Sequence, residues 1–272
     1  MGLLHHGKLM VGFDLGEEYS QISYTVGEEV ETLSTVAGEG QYNIPMVLCK
    51  RIGANQWSYG KEALLAAQDD DRILVEDILQ LAVNGESVQI DGNAFDPVSL
   101  LALYVKRSLG LLSQVASPDK IYAMTITCER LDSRMVAVLD QVVESLQLRT
   151  DKIFYQSHAE SFYHYMIKQQ EELWKAQVLL LEYRGTKVHT YCMGLNRHTT
   201  PVVAYVENCE YNMPPYEPMP EEEELRREKM ERLDQEFTDI ATQVCKRTSV
   251  TSVYLIGEHY SNEWMKIGRA HV

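Results

Sequence analysis

Residues 9–15 and 19–25 alternate apolar and polar side chains with the two-residue period of a half-buried strand, and a short turn separates them. The pattern predicts a β-hairpin, "LMVGFDLGEEYSQISY", with Asp14 at the end of its first strand. Residues 30–36 extend it as a third strand, 44–51 ("IPMVLCKR") read as another, and 56–63 ("QWSYGKEA") lead into a helix. Residues 69–93 mix acidic and apolar positions and end in a Gly-rich turn, so about 56–95 reads as a small inserted subdomain.

The period then changes to that of a helix. In 95–115, Val98, Leu101, Ala102, Val105, Leu109 and Leu112 fall on one face, with Asp96 as N-cap and Pro97 at the first helical position. Residues 120–127 ("KIYAMTIT") predict a buried strand, and Asp132 caps a helix that turns Met135, Val138, Leu139, Val142 and Leu146 inward. Residues 151–156 predict a further strand. "SHAE" (157–160) has the spacing of a capping box at the start of a helix running to about Gln170. This βαβα alternation predicts an α/β lobe.

The second half opens like the first. "AQVLLLEYRGTKVHTYCMG" (176–194) is again strand, Gly-bearing turn, strand, with Glu182 placed as Asp14 is, 168 residues earlier. Residues 201–208 follow as another strand, which makes the second half a duplicate of the opening unit. Residues 209–224 carry four prolines and an acidic run and read as an extended linker or exposed excursion. A helix from about Leu225 buries Leu233, Phe237, Ile240, Ala241 and Val244, and 252–265 begins with a last buried strand. The domain reading is a first lobe over 1–170 and a second over 171–266.

Composition narrows the classes. The chain has 272 residues, 45% of them hydrophobic, and a formal net charge of −15, which opposes binding to a phosphate backbone and excludes nucleic acid as the expected partner. No apolar run approaches the roughly 18 residues of a membrane span. The five cysteines form no C-x-x-C pair and are odd in number, which fits a reducing, cytoplasmic setting rather than a zinc site or disulfide framework. The segment 267–272 ("IGRAHV") back-translates to a read resembling a sequencing adapter, so the natural chain is expected to continue past Lys266, and the fold to be truncated at its C-terminus.

Two lobes that each open on an acidic-tipped hairpin resemble the actin, sugar-kinase and 70-kilodalton heat-shock chaperone ATPases, most narrowly an uncharacterised bacterial group on that fold. "VGFDLGEEYSQISY" resembles the first phosphate loop, whose chaperone pattern is Gly-x-Asp-x-Gly-Thr-Thr, and "VLLLEYRGTKVHTY" stands at the second. "SVYLIGEHYSNEWM" resembles the strand and Gly-Gly turn near adenosine. The resemblance implies a two-lobe, actin-like (ribonuclease-H-like) α/β fold that holds ATP through Mg²⁺.

Carried over, Asp14 and Glu182 become the metal-facing carboxylates. Asp14, Gly16, Glu17, Glu18, Ser20, Arg184, Gly185 and Gly257 take the nucleotide-contacting positions, and Gln156 that of the residue that positions the attacking water. The departures are chemical. Glu17 and Glu18 replace two threonines, Tyr183 and Arg184 replace two glycines, and Glu258 replaces the partner of Gly257. A carboxylate about 4 Å from a phosphate charge costs on the order of 1 kcal/mol in water and about 4 at an effective dielectric near 20. The leading expectation is therefore a cytoplasmic regulatory or scaffolding protein with a degenerate nucleotide site and a protein partner; the alternative is a working Mg-ATP-dependent ATPase or kinase. His158 and His164 read as helix-surface or packing residues, and Ser157 as a cap.

Overall fold

The computed structural model describes residues 8–27, 29–184, 186–196, 203–214, 219–246, 250–257 and Tyr260. The readings made for Gly185, Glu258 and the 267–272 segment lie outside the described residues. The chain is α/β with mixed sheets and divides into two compact units, Met1–Ser161 and Phe162–Val272. The division falls inside a helix, before the boundary read from sequence.

The first unit begins with β1 (Leu9–Leu15), β2 (Tyr19–Val26) and β3 (Glu29–Thr32). Residues 44–51, expected as one strand, are two: β4 (Ile44–Pro45) pairs with β2, and β5 (Leu48–Arg51) joins another sheet. Then come β6 (Trp57–Tyr59), α1 (Gly60–Ala66), β7 (Arg72–Val75), α2 (Ile78–Asn84) and the hairpin β8 (Val88–Ile90) and β9 (Asn93–Phe95). Strands β6, β5 and β7 form a three-stranded sheet. Buried Lys50 of β5 pairs at 2.9 Å with Asp91, whose carboxylate also accepts the Gly53 N–H at 2.7 Å. That clasp ties the β8–β9 turn to the sheet.

The unit closes with α3 (Pro97–Gly110), β10 (Ile121–Cys128), α4 (Ser133–Leu146), β11 (Ile153–Ser157) and the start of α5 (His158–Met166). The caps are the ones the sequence predicts: Asp96 accepts from the Ser99 N–H at 2.8 Å, and Asp132 from the Arg134 and Met135 N–H groups at 2.9 Å. The main sheet has the order β11-β10-β1-β2-β3, with β1 parallel to β10, β10 parallel to β11, and β1, β2 and β3 antiparallel in turn. Val11, Phe13 and Leu15 of β1 are buried against Leu101, Val105 and Leu109 of α3 and Leu139 and Val142 of α4 in one core. Helix α5 ends at Met166, short of Gln170.

The second unit holds β12 (Gln177–Arg184), β13 (Lys187–Asn196), β14 (Val203–Asn212), α6 (Glu223–Cys245) and β15 (Val250–Ile256). Its sheet has the order β14-β13-β12-β15, with β12 parallel to β15 and antiparallel to β13. Each unit thus places its first strand between its second strand and a later parallel one. Cys209 to Asn212, read from sequence as the start of an excursion, are instead the end of β14, because β13 runs long enough to pair with them as far as Lys187. Leu233, Phe237, Ile240, Ala241 and Val244 of α6 are buried with Leu179, Leu181 and Tyr183 of β12.

Candidate functional site

Alternation along β1 decides where Asp14 points. Its neighbours Phe13 and Leu15 are buried in the core, so Asp14 lies on the opposite sheet face. In register, Asp14 pairs with Thr127 of β10 and Gln21 of β2, and Thr127 pairs with Gln156 of β11. Residues in register share a face, so Gln156, Thr127, Asp14 and Gln21 form a polar row across four strands. The row lies toward the carboxyl ends of the parallel strands, where open α/β sheets bind ligands. Thr127 Oγ1 donates to Asp14 Oδ1 at 2.9 Å, and His158 Nε2 lies 2.8 Å from the same oxygen.

His158 is the first residue of α5 and only 7% exposed. Of the two readings its sequence position left open, helix surface or packing, it takes the buried one, and it partners Asp14. The carboxylate that the resemblance assigns to a metal accepts from a protein hydroxyl and a protein imidazole. Gln156 stands two strands from Asp14, about 10 Å at ordinary strand spacing, and its Oε1 accepts from Ser161 Oγ at 3.2 Å. Ser157 caps α5 as expected: its N–H and hydroxyl donate to Glu160 at 2.8 and 3.1 Å, and its Oγ accepts the Glu160 N–H at 3.2 Å. Burial pushes the adjacent Cys128 thiol up to about 12, with the charge of Asp14 adding to the effect, so this cysteine is no nucleophile near neutral pH.

The hairpin turn is closed by the Gly16 N–H donating to the Tyr19 carbonyl at 3.1 Å. Glu17 and Glu18 are exposed. Glu17 accepts from Gln80 of α2, and the Glu18 carbonyl accepts the Met46 N–H at 2.8 Å. Ser20, which the resemblance makes a nucleotide-contacting hydroxyl, is fully buried, on the core side of β2 beside Tyr104. Strand alternation puts it on the same side as Ile22, away from the face that carries Asp14.

In the second unit, Glu182 is 0% exposed, and Arg184, two residues on and on the same face, lies 2.5 Å from its Oε1. The Tyr191 hydroxyl is 3.5 Å from Glu182 Oε2. Across the strands, Glu182 pairs with His189, and His189 with Glu210. Glu210 in turn lies 3.6 Å from His189 Nδ1 and 2.5 Å from Lys187 Nζ. Arg184, which the resemblance places beside a phosphate, pairs with the buried carboxylate of Glu182. Gly257, at φ +119°, has a backbone role: an added Cβ would strike the Tyr183 carbonyl oxygen and come within 3.2 Å of the Tyr183 nitrogen.

Sequence reasoning missed His158 and Thr127. Thr127 had a signal, its polar place in the alternating strand 120–127. His158 had none, since it meets Asp14 across 144 residues of chain. No group of three or more His, Cys, Asp or Glu that could hold a metal occurs among the described residues. No helix among them is long and apolar enough to cross a membrane.

The fold class is thus an α/β protein with two mixed sheets and, in each unit, an acidic side chain near the end of the first strand. The chain belongs to the family described as "Family of unknown function (DUF5716) C-terminal", whose model matches residues 29–270. The match takes in Gln156, His158 and Glu182, and begins after the hairpin that carries Asp14. No curated protein matches the chain.

Proposed function

We propose that this chain is a cytoplasmic, two-lobe, actin- and chaperone-like protein that keeps the duplicated β scaffold of those ATPases without their nucleotide chemistry, and that it acts on a protein partner as a regulator or scaffold. The shared strand order of the two sheets supports the fold reading: first strand central, second antiparallel to it, a later strand parallel on its other side. The observation that carries the functional reading is the Arg184–Glu182 pair, a guanidinium 2.5 Å from a fully buried carboxylate. A divalent cation at Glu182 would sit against that fixed positive charge, and freeing the carboxylate would leave a buried ion to be compensated.

The donor set at Asp14 points the same way, with Thr127 and His158 both on Oδ1. These residues do not fit Mg²⁺. The two glutamates of the turn add negative charge where a phosphate would need N–H donors. Phosphate release from Mg-ATP tests the reading: the purified chain should release phosphate no faster than its Asp14→Ala and Gln156→Ala variants. A rate that both substitutions abolish would establish the ATPase or kinase alternative.

A further inference from the structure

Away from the polar row, the first unit holds one aromatic ring between two ammonium groups. Lys8 precedes β1, Tyr122 is the second residue of β10, and Lys152 precedes β11. These strands are parallel neighbours, so their starts lie side by side, at the opposite end of the sheet from Asp14. Lys8 Nζ and Lys152 Nζ each lie 4.0 Å from the centroid of the Tyr122 ring. Lys152 Nζ also donates to the Tyr122 hydroxyl. The segment carrying Lys152 is fixed in place: Thr150 Oγ1 donates to the Tyr122 carbonyl at 2.6 Å and accepts the Lys152 N–H at 3.1 Å. The Arg149–Asp119 pair is closed on itself at 3.5 Å.

We propose that Tyr122 is a covalent acceptor site, its phenolate oxygen serving as a nucleophile toward small phosphoryl- and sulfonyl-type electrophiles. Two positive charges stabilise the phenolate, Lys152 through its hydrogen bond and then Lys8, and they draw the phenol from 10.0 down to about 8. The two lysines are the charged groups that act on it, one from each flanking strand. At pH 7.5 about a quarter of such a phenol is ionised, against well under 1% of an ordinary tyrosine. In the transfer, the phenolate oxygen forms a bond to phosphorus or sulfur, and the bond to the leaving group breaks with its electron pair. Fluoride leaves from a sulfonyl fluoride, a carboxylate from an acyl phosphate, and nothing is oxidised or reduced. The ammonium groups then remain beside the new anionic group in the phosphoryl case. The acceptor is suited to small donors because β10 is paired on both edges, so its backbone cannot be drawn out into an enzyme that reads an extended peptide.

An aryl sulfonyl fluoride at pH 7.5, followed by peptide mapping, tests this on the full chain. Tyr122 should be labelled first among the sixteen tyrosines, with half-maximal rate near pH 8. Lys152→Met should slow labelling about tenfold at pH 7.5 and move the half-maximum upward, and Lys8→Met should do so by less. Circular dichroism confirms that the variants fold. The phenolate absorbance lost in Tyr122→Phe should titrate near 8. Unselective labelling, a Lys152→Met variant that labels as fast as the parent, or a Tyr122 titration near 10 would overturn the proposal.

Discussion

At Gly257 the backbone adopts φ +119°, and a Cβ would fall against the Tyr183 carbonyl, which is main chain and cannot swing aside. Gly257→Ala should therefore destabilise the chain by about 2 kcal/mol or more, read as a lower urea midpoint. The glycine itself was legible as a turn; its close contact with β12 was not, because contacts between strands distant in sequence leave no local pattern. Arg184 makes a second prediction at this scale. Arg184→Met takes the guanidinium from a fully buried carboxylate and should cost about 3 kcal/mol, while the double variant Glu182→Met/Arg184→Met should recover much of that loss. Equal losses in the single and double variants, in chemical unfolding, would show that the pair's charges are not what matters. Glu182 was legible as a strand-end acid and Arg184 as a nearby cation, but not that Glu182 lies buried, with Arg184 beside it, on the face of β12 opposite the Leu181 and Tyr183 side chains that meet α6, because burial is set by how the sheet assembles.

Among the elements, helix starts carry a local signature that could be read, whereas some strand limits are decided by pairing and could not. The Asp96, Asp132 and Ser157–Glu160 caps follow from side chains one turn from the groups they satisfy. The split of 44–51 could not be read, since β4 and β5 differ only in the strands they find as partners. The same holds for Cys209 to Asn212, where prolines just beyond suggested an excursion but β13 supplies a ladder. The β8–β9 hairpin offers a test at this scale. The Gly53 N–H and then Lys50 hold the Asp91 carboxyl below its ordinary 3.8. A lowered carboxyl contributes stability that is present above the unfolded value and lost as pH falls through the folded one. Asp91→Asn should thus be less stable than the parent at pH 7, and the difference should shrink as pH falls below 3.8 toward the folded value. A constant difference down to pH 2, by thermal unfolding, would refute this.

In the whole molecule, the repeated acidic-tipped hairpin was the most informative pattern in the sequence, and it corresponds to two sheets with the same central order. What the pattern could not convey is how the two acids are used. Asp14 meets His158 and Thr127, partners whose approach depends on helix placement and sheet register, and Glu182 meets Arg184, its neighbour on the same strand face, where burial makes the pair matter. In the function we propose, these carboxylates serve the protein's own cations and donors instead of Mg-ATP. Isothermal titration calorimetry with Mg-ATP, run on the chain and on Asp14→Ala, tests it most directly. No heat of binding at millimolar ATP from either protein is the predicted result; micromolar binding by the parent that Asp14→Ala abolishes would contradict it.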